Sequence, residues 1–177
     1  MATGGSGKNA WWEWAEVLII AVALTIIIRV FIVQQFTVYG ISMLPNFHTG
    51  ERVLVNQFIY RFEPIEDGQV IVLRYPLDPK TNFIKRVVAT PGQTLRMLDG
   101  QLYINGKKVK EPWIKYPGHA DFPLGGGVYK VPAGRVFVMG DNRPNSLDSR
   151  YFGAVPYGDI IGEVFLIFWP PGNFQFI

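Results

Sequence analysis

Three stretches of the chain concentrate the residue types that can do chemistry. They are Gly40-Ile41-Ser42-Met43-Leu44-Pro45, Phe83-Ile84-Lys85-Arg86-Val87-Val88 and Gly140-Asp141-Asn142-Arg143-Pro144-Asn145-Ser146-Leu147-Asp148-Ser149-Arg150. In the first, a serine follows the strand-like Phe36-Thr37-Val38-Tyr39 and lies between a glycine that allows close backbone approach and a proline that restricts the chain. In the second, strand alternation puts Lys85 on one face with Phe83 and Val87, and Arg86 on the other with Ile84 and Val88. Both faces are mostly apolar, so each charge is costly unless it is paired or used. Desolvation lowers a lysine pKa, and a neutral amine can take the proton of a serine hydroxyl. The third stretch packs carboxylates, guanidinium groups and hydroxyls between two apolar runs, as a hydrogen-bonded network requires. Each stretch also has a plain structural reading: a turn serine, an edge strand with snorkelling cations, and a solvated loop.

Other chemistries are thinly represented. The chain has no cysteine, which excludes a cysteine nucleophile, a disulfide framework and a thiolate metal site. Two isolated histidines, His48 and His119, make a poor metal site, and no metal or organic cofactor is expected. Either histidine could still serve as base to a serine, because triads assemble from distant positions. The net charge of +3 comes from scattered residues, so no nucleic-acid partner is expected.

The elements that must position these groups are short strands. Of the 177 residues 49% are hydrophobic and 15% aromatic, with 19 Gly and 13 Pro, a composition suited to strands joined by tight turns. Strand-like runs occur at 52–55, 70–73, 82–90, 136–139 and 160–169. Residues 95–109 read as a three-stranded meander, with Asp99-Gly100 and Asn105-Gly106 at its two-residue turns. Residues 111–127 are rich in Gly and Pro and predicted to be irregular. Ahead of the strands, the run 17–33 is apolar except for Thr25 and Arg29, and as a helix it covers roughly 25 Å. Trp11, Trp12 and Trp14 precede it, as in an interfacial belt. The run continues well past the Ala21-Val22-Ala23 site, which favours a retained anchor over a cleaved leader.

The segments GISMLP, GERVLV, NFIKRVVATPG and GDNRPNSLDSRYFG, in this order behind an amino-terminal anchor, resemble the bacterial type I signal peptidases. The resemblance implies a mostly β fold, with antiparallel sheets forming a partly closed barrel-like catalytic domain after one transmembrane helix. The corresponding boundaries are 1–10 for a disordered tail, 11–34 for the anchor and 35–177 for the peptidase domain. It implies Ser42 as nucleophile, Lys85 as general base and later acid, and Ser146 as the hydroxyl that orients the lysine amine. Asp148 with Arg150 is implied as a structural ion pair, and Asp141 as the partner of Arg86. Gly40 stands where some members carry a serine that donates to the oxyanion; the match is to the branch with glycine there, and leaves the oxyanion hole to backbone N–H groups, including that of Ser42.

The implied substrates are exported preproteins with small residues at the −1 and −3 positions before the cut. The implied partners are those preproteins, the lipid bilayer and the protein-export machinery. The implied location is a bacterial plasma membrane, with a cytoplasmic amino terminus and an exoplasmic catalytic domain; a thylakoid or organelle membrane is the alternative. Two other functions fit the sequence: a noncatalytic membrane-tethered β-module that binds extended peptides, and another Ser-Lys peptidase with itself or one partner as substrate.

Overall fold

Alternation of buried and exposed side chains along short β-branched runs dictates the architecture, a set of antiparallel strands in two sheets. The computed structural model describes residues 10–31 and 33–177, with side chains from 11–25 and from Val33 onward. Of the expected tail at 1–10, residues 1–9 lie outside the described residues, as does the side chain of Arg29, and Ala10 already opens a helix. A helix, α1 (Ala10–Phe31), precedes β1 (Val33–Thr37). The helix thus stops short of the expected boundary at residue 34, because Val33 and Gln34 already pair with Asn56 and Val55. Its side chains from Trp11 to Leu24 are mostly exposed. Among the described residues, no helix is long and apolar enough to cross a membrane.

The remaining elements are β2 (Arg52–Asn56), β3 (Val70–Tyr75), β4 (Asp78–Ala89), β5 (Thr94–Leu98), β6 (Gln101–Ile104), β7 (Lys107–Lys108), β8 (Tyr129–Lys130), β9 (Arg135–Met139), a one-turn helix α2 (Ser149–Phe152), β10 (Val155–Pro156), β11 (Ile160–Trp169) and β12 (Gln175–Phe176). The large sheet runs β1-β2-β11-β3-β4-β9-β10, with β12 pairing β11 as well. β1 and β10 end the path, so the described strands form an open sheet and not a closed barrel. The second sheet runs β7-β6-β5-β8. The expected meander is thus three strands of a four-stranded sheet; its fourth, β8, is too short to stand out in sequence. Both predicted two-residue turns are present, with positive φ at Asp99, Gly100, Asn105 and Gly106. That is the backbone a primed hairpin turn demands. Residues 111–127 carry no regular strand, as their Gly and Pro content implies.

β4 is the strand on which the site depends. It pairs with β3 along its length and with β9 at its carboxyl end, so Lys85 lies opposite Ile71, and Arg86 opposite both Val70 and Met139. One face of this sheet buries Ile71, Leu73, Val87, Val136, Val138 and Val155. The other buries Val53, Val55, Val70, Val72, Val164 and Ile167, and into this second cluster sink Met43 and Phe47. These two residues flank the turn after β1. Burying a side chain of this size contributes about 2 kcal/mol, which ties down the chain immediately after Ser42.

Candidate active site

The turn that carries Ser42 is set by local chemistry. Gly40 has φ +89, a conformation L side chains rarely adopt, and it turns the chain away from β1. The amide of Val38 donates to Glu51 C=O at 2.8 Å, and that of Gly50 to Val38 C=O at 2.9 Å. The loop 38–51 is therefore closed at its base, with Ser42 half-buried at its tip.

Lys85 reaches this tip from β4. Its Nζ lies 2.8 Å from Ser42 Oγ and 2.9 Å from the carbonyl oxygen of Ile84. The side chain is 3% exposed, and Nζ sits 4.9 Å from the centre of the Phe83 ring. Burial disfavours the ammonium form and pulls the pKa down to about 8, against the opposing pull of Asp148 and Asp141. Hydroxyl and amine are thus hydrogen-bonded, and burial holds the amine's pKa well below that of a free lysine.

The polar loop closes over this pair and is itself tied down by charge. Arg86 grips Asp141 with two bonds, Nε to Oδ1 at 2.8 Å and Nη2 to Oδ2 at 2.7 Å, while Nη1 donates to Gly68 C=O at 2.7 Å. Arg150 grips Asp148 the same way, with two bonds of 2.8 Å, and Asp148 Oδ2 also accepts from the Gly140 amide at 3.1 Å. The expected pairs Arg86–Asp141 and Asp148–Arg150 are therefore both formed.

Ser146 behaves differently from expectation. It is 6% exposed and lies against Gly140, but its hydroxyl makes no hydrogen bond, so the expected bond to Lys85 is absent from the structure. The amine's bonds go instead to Ser42 and to the Ile84 carbonyl, an acceptor every strand carries and no motif announces. The histidines are remote in role: His48 and His119 are exposed, they pair with Glu51 and Asp99, and neither lines the cleft that holds Ser42 and Lys85.

Several contributors carried no separate signal. Asn46 bridges Asp141 Oδ2 at 2.7 Å and Trp113 C=O at 2.9 Å, joining the serine loop to the Arg86 pair. Trp113 also stacks on the Arg86 guanidinium at 4.6 Å. Buried Arg143 pairs with Glu111, tying the irregular segment to the polar loop. Gly140 is required by space: a Cβ there would collide with the carbonyl oxygen of Ser42 and with the Ser146 side chain. Gly140→Ala should therefore displace the Ser42 turn and cut activity by about 100-fold, since misplacement by about an ångström has that effect. A steady-state rate within threefold of the parent would show that the turn can give way.

The cleft beside Ser42 and Lys85 has a volume of ≈ 230 Å³. Besides Ser42 and Lys85 it is lined by the 36–39 and 82–84 segments, by Val53 and Val72, and by Leu147.

The family model for the signal peptidases, peptidase S26, matches residues 11–169. The chain belongs to this family. Among its relatives are a signal peptidase I of Bacillus amyloliquefaciens, 40% identical over 170 residues (92% of this chain and 88% of the relative), and signal peptidase I T of Bacillus subtilis, 38% identical over 175 residues (95% and 90%). A solved structure of a signal peptidase I from Enterococcus faecalis superposes with a TM-score of 0.50 at 30% identity, covering 57% of this chain and 97% of that one. As a member of this family, the chain is a serine endopeptidase.

Proposed function

We propose that this chain removes signal peptides from exported preproteins with a Ser42–Lys85 dyad, cutting after small residues at −1 and −3. The observation that carries this reading is the 2.8 Å contact between Ser42 Oγ and a buried amine whose pKa is near 8. The neutral amine of Lys85 takes the Ser42 proton as the alkoxide attacks the scissile carbonyl. Backbone N–H groups, with that of Ser42 among them, stabilise the oxyanion, a contribution of roughly 3–4 kcal/mol per donor. The tetrahedral species collapses, Lys85 returns the proton to the departing amine, and the mature protein leaves. Water, deprotonated by the same lysine, then hydrolyses the ester on Ser42. Each step needs only Ser42, Lys85, backbone donors and water.

A preprotein segment would lie extended between the 36–39 and 82–84 segments, adding backbone hydrogen bonds as an inserted strand does. Side chains of alanine size would sit against Val53 and Val72, which line the cleft. Asp148, Arg150, Asp141 and Arg86 would position these groups without taking part in bond-making. The 22-residue helix α1, apolar from Val17 onward except for Thr25 and Arg29, would hold the β-rich peptidase domain at the membrane. Its amino terminus would be cytoplasmic and the dyad exoplasmic, so enzyme and membrane-held substrate share one surface.

The test is cleavage of a model preprotein by the full chain in detergent micelles across pH. With the Lys85 pKa about 8, roughly a tenth of molecules hold the neutral amine at pH 7. The rate kcat/KM should rise about tenfold per pH unit below that point and level off above it. A midpoint near 6.5 would move the base to a histidine. No cleavage at any pH would favour a peptide-binding module instead.

A further inference from the structure

Asn142 touches the nucleophile turn twice. Its backbone N–H donates to the carbonyl oxygen of Ser42 at 2.9 Å, and its Nδ2 donates to that of Ile41 at 3.1 Å. The residue is 5% exposed and held on its other side: Asn145 Nδ2 donates to Oδ1 at 3.2 Å, and the next amide, Arg143, donates to Tyr116 C=O at 3.2 Å. A second donor reaches the same Ile41 oxygen, the amide of Leu44 at 3.3 Å.

The carbonyl of Ile41 and the N–H of Ser42 belong to one peptide unit. That unit is planar and trans, so its C=O and N–H point in opposite directions from a rigid plane. Two donors that fix the oxygen therefore fix the direction of the Ser42 N–H. A hydrogen bond accepted by the oxygen also polarises the N–H across the amide and makes it a stronger donor. A freely rotating turn would lose that direction, and an oxyanion donor works only if it is aimed before charge develops.

We infer that Asn142 is a positioning residue for the oxyanion hole, acting through the Ile41–Ser42 peptide. This deepens the reading given above, on which it rests: Ser42 as nucleophile and its own N–H as donor. Asn142 carries no charge, so its effect falls on charge stabilisation and leaves the Lys85 titration alone.

The test uses the full chain in detergent micelles with Asn142→Leu, which keeps the branching and removes the donor, and Asn142→Ala. Both retain the backbone bond to Ser42, and the smaller alanine keeps the test open if leucine does not pack. Rates are taken per titrated Ser42. The expected result is a fall in kcat of about 10- to 100-fold, less than loss of a direct donor. KM and the pH midpoint should stay where they are. Affinity for a peptide aldehyde, whose carbonyl takes up Ser42 Oγ and its proton to form a tetrahedral adduct, should fall by the same factor as kcat. Affinity for the cleaved product peptide should not change.

An unchanged kcat would overturn the inference. So would a loss accompanied by a moved pH midpoint, which would place the effect on Lys85, or one that the aldehyde does not follow. Cleavage by Ser42→Ala is the separate sign that the underlying nucleophile assignment has failed, and the inference with it.

Discussion

Lys85→Met should lower preprotein cleavage by at least ~10⁴-fold, and Ser42→Ala should do the same, with the double variant no worse than either alone. The reason is the single contact that joins them: without the amine the hydroxyl keeps its proton, and without the hydroxyl the amine has nothing to activate. Methionine matches the length and apolar stem of lysine, so the strand-buried side chain is kept and only the base is lost. Lys85→Arg should be as inactive, because guanidinium stays protonated at any accessible pH. Measured as single-turnover cleavage of a preprotein in micelles, a loss smaller than 100-fold in Lys85→Met would show that another group takes the proton.

The second large effect concerns stability. Asp141→Ala should destabilise the chain by about 3–5 kcal/mol, since it leaves a buried guanidinium uncompensated. Arg86 is 8% exposed and Asp141 0% exposed, so water cannot replace the lost partner. For a chain of this size the thermal midpoint should fall by roughly 6–20 °C. The pair Arg86→Met/Asp141→Leu, which removes both charges together, should recover a good part of that loss. A thermal midpoint for Asp141→Ala within 2 °C of the parent would show that Arg86 finds another partner or reaches solvent. A second consequence has a fixed sign. Asp141 raises the Lys85 pKa, so removing its charge should move the midpoint of the pH profile below 8 in whatever fraction stays folded.

Much of this was legible in the sequence because the physics is local. Val and Ile at alternate positions specify a half-buried strand wherever it pairs, and strand β11 runs over the predicted residues 160–169. Asp99-Gly100 and Asn105-Gly106 each contain their own reason for a tight turn, and the structure has both turns. Lys85 on an apolar run is a group whose charge is expensive, and family resemblance places Ser42 beside it. The same reasoning falls short where the partner is distant or anonymous. Short β8 pairs with β5 on only two residues, too little to leave a pattern. Asn46 and Asn142 look like ordinary loop residues, and their importance lies in what they reach across the fold.

By itself, then, the sequence determined the strand-rich class, the turns and the family, because backbone preference and side-chain chemistry are properties of short segments. Only the tertiary structure decided that the Lys85 amine rests 2.8 Å from Ser42 and leans on the Ile84 carbonyl, while the Ser146 hydroxyl stays unbonded. It alone decided that Asn142 clasps the Ile41–Ser42 peptide. Those outcomes depend on how β4, the serine turn and the polar loop pack together. Contacts of that kind are set by the competition among neighbours for a few hydrogen-bonding positions, which no single segment contains.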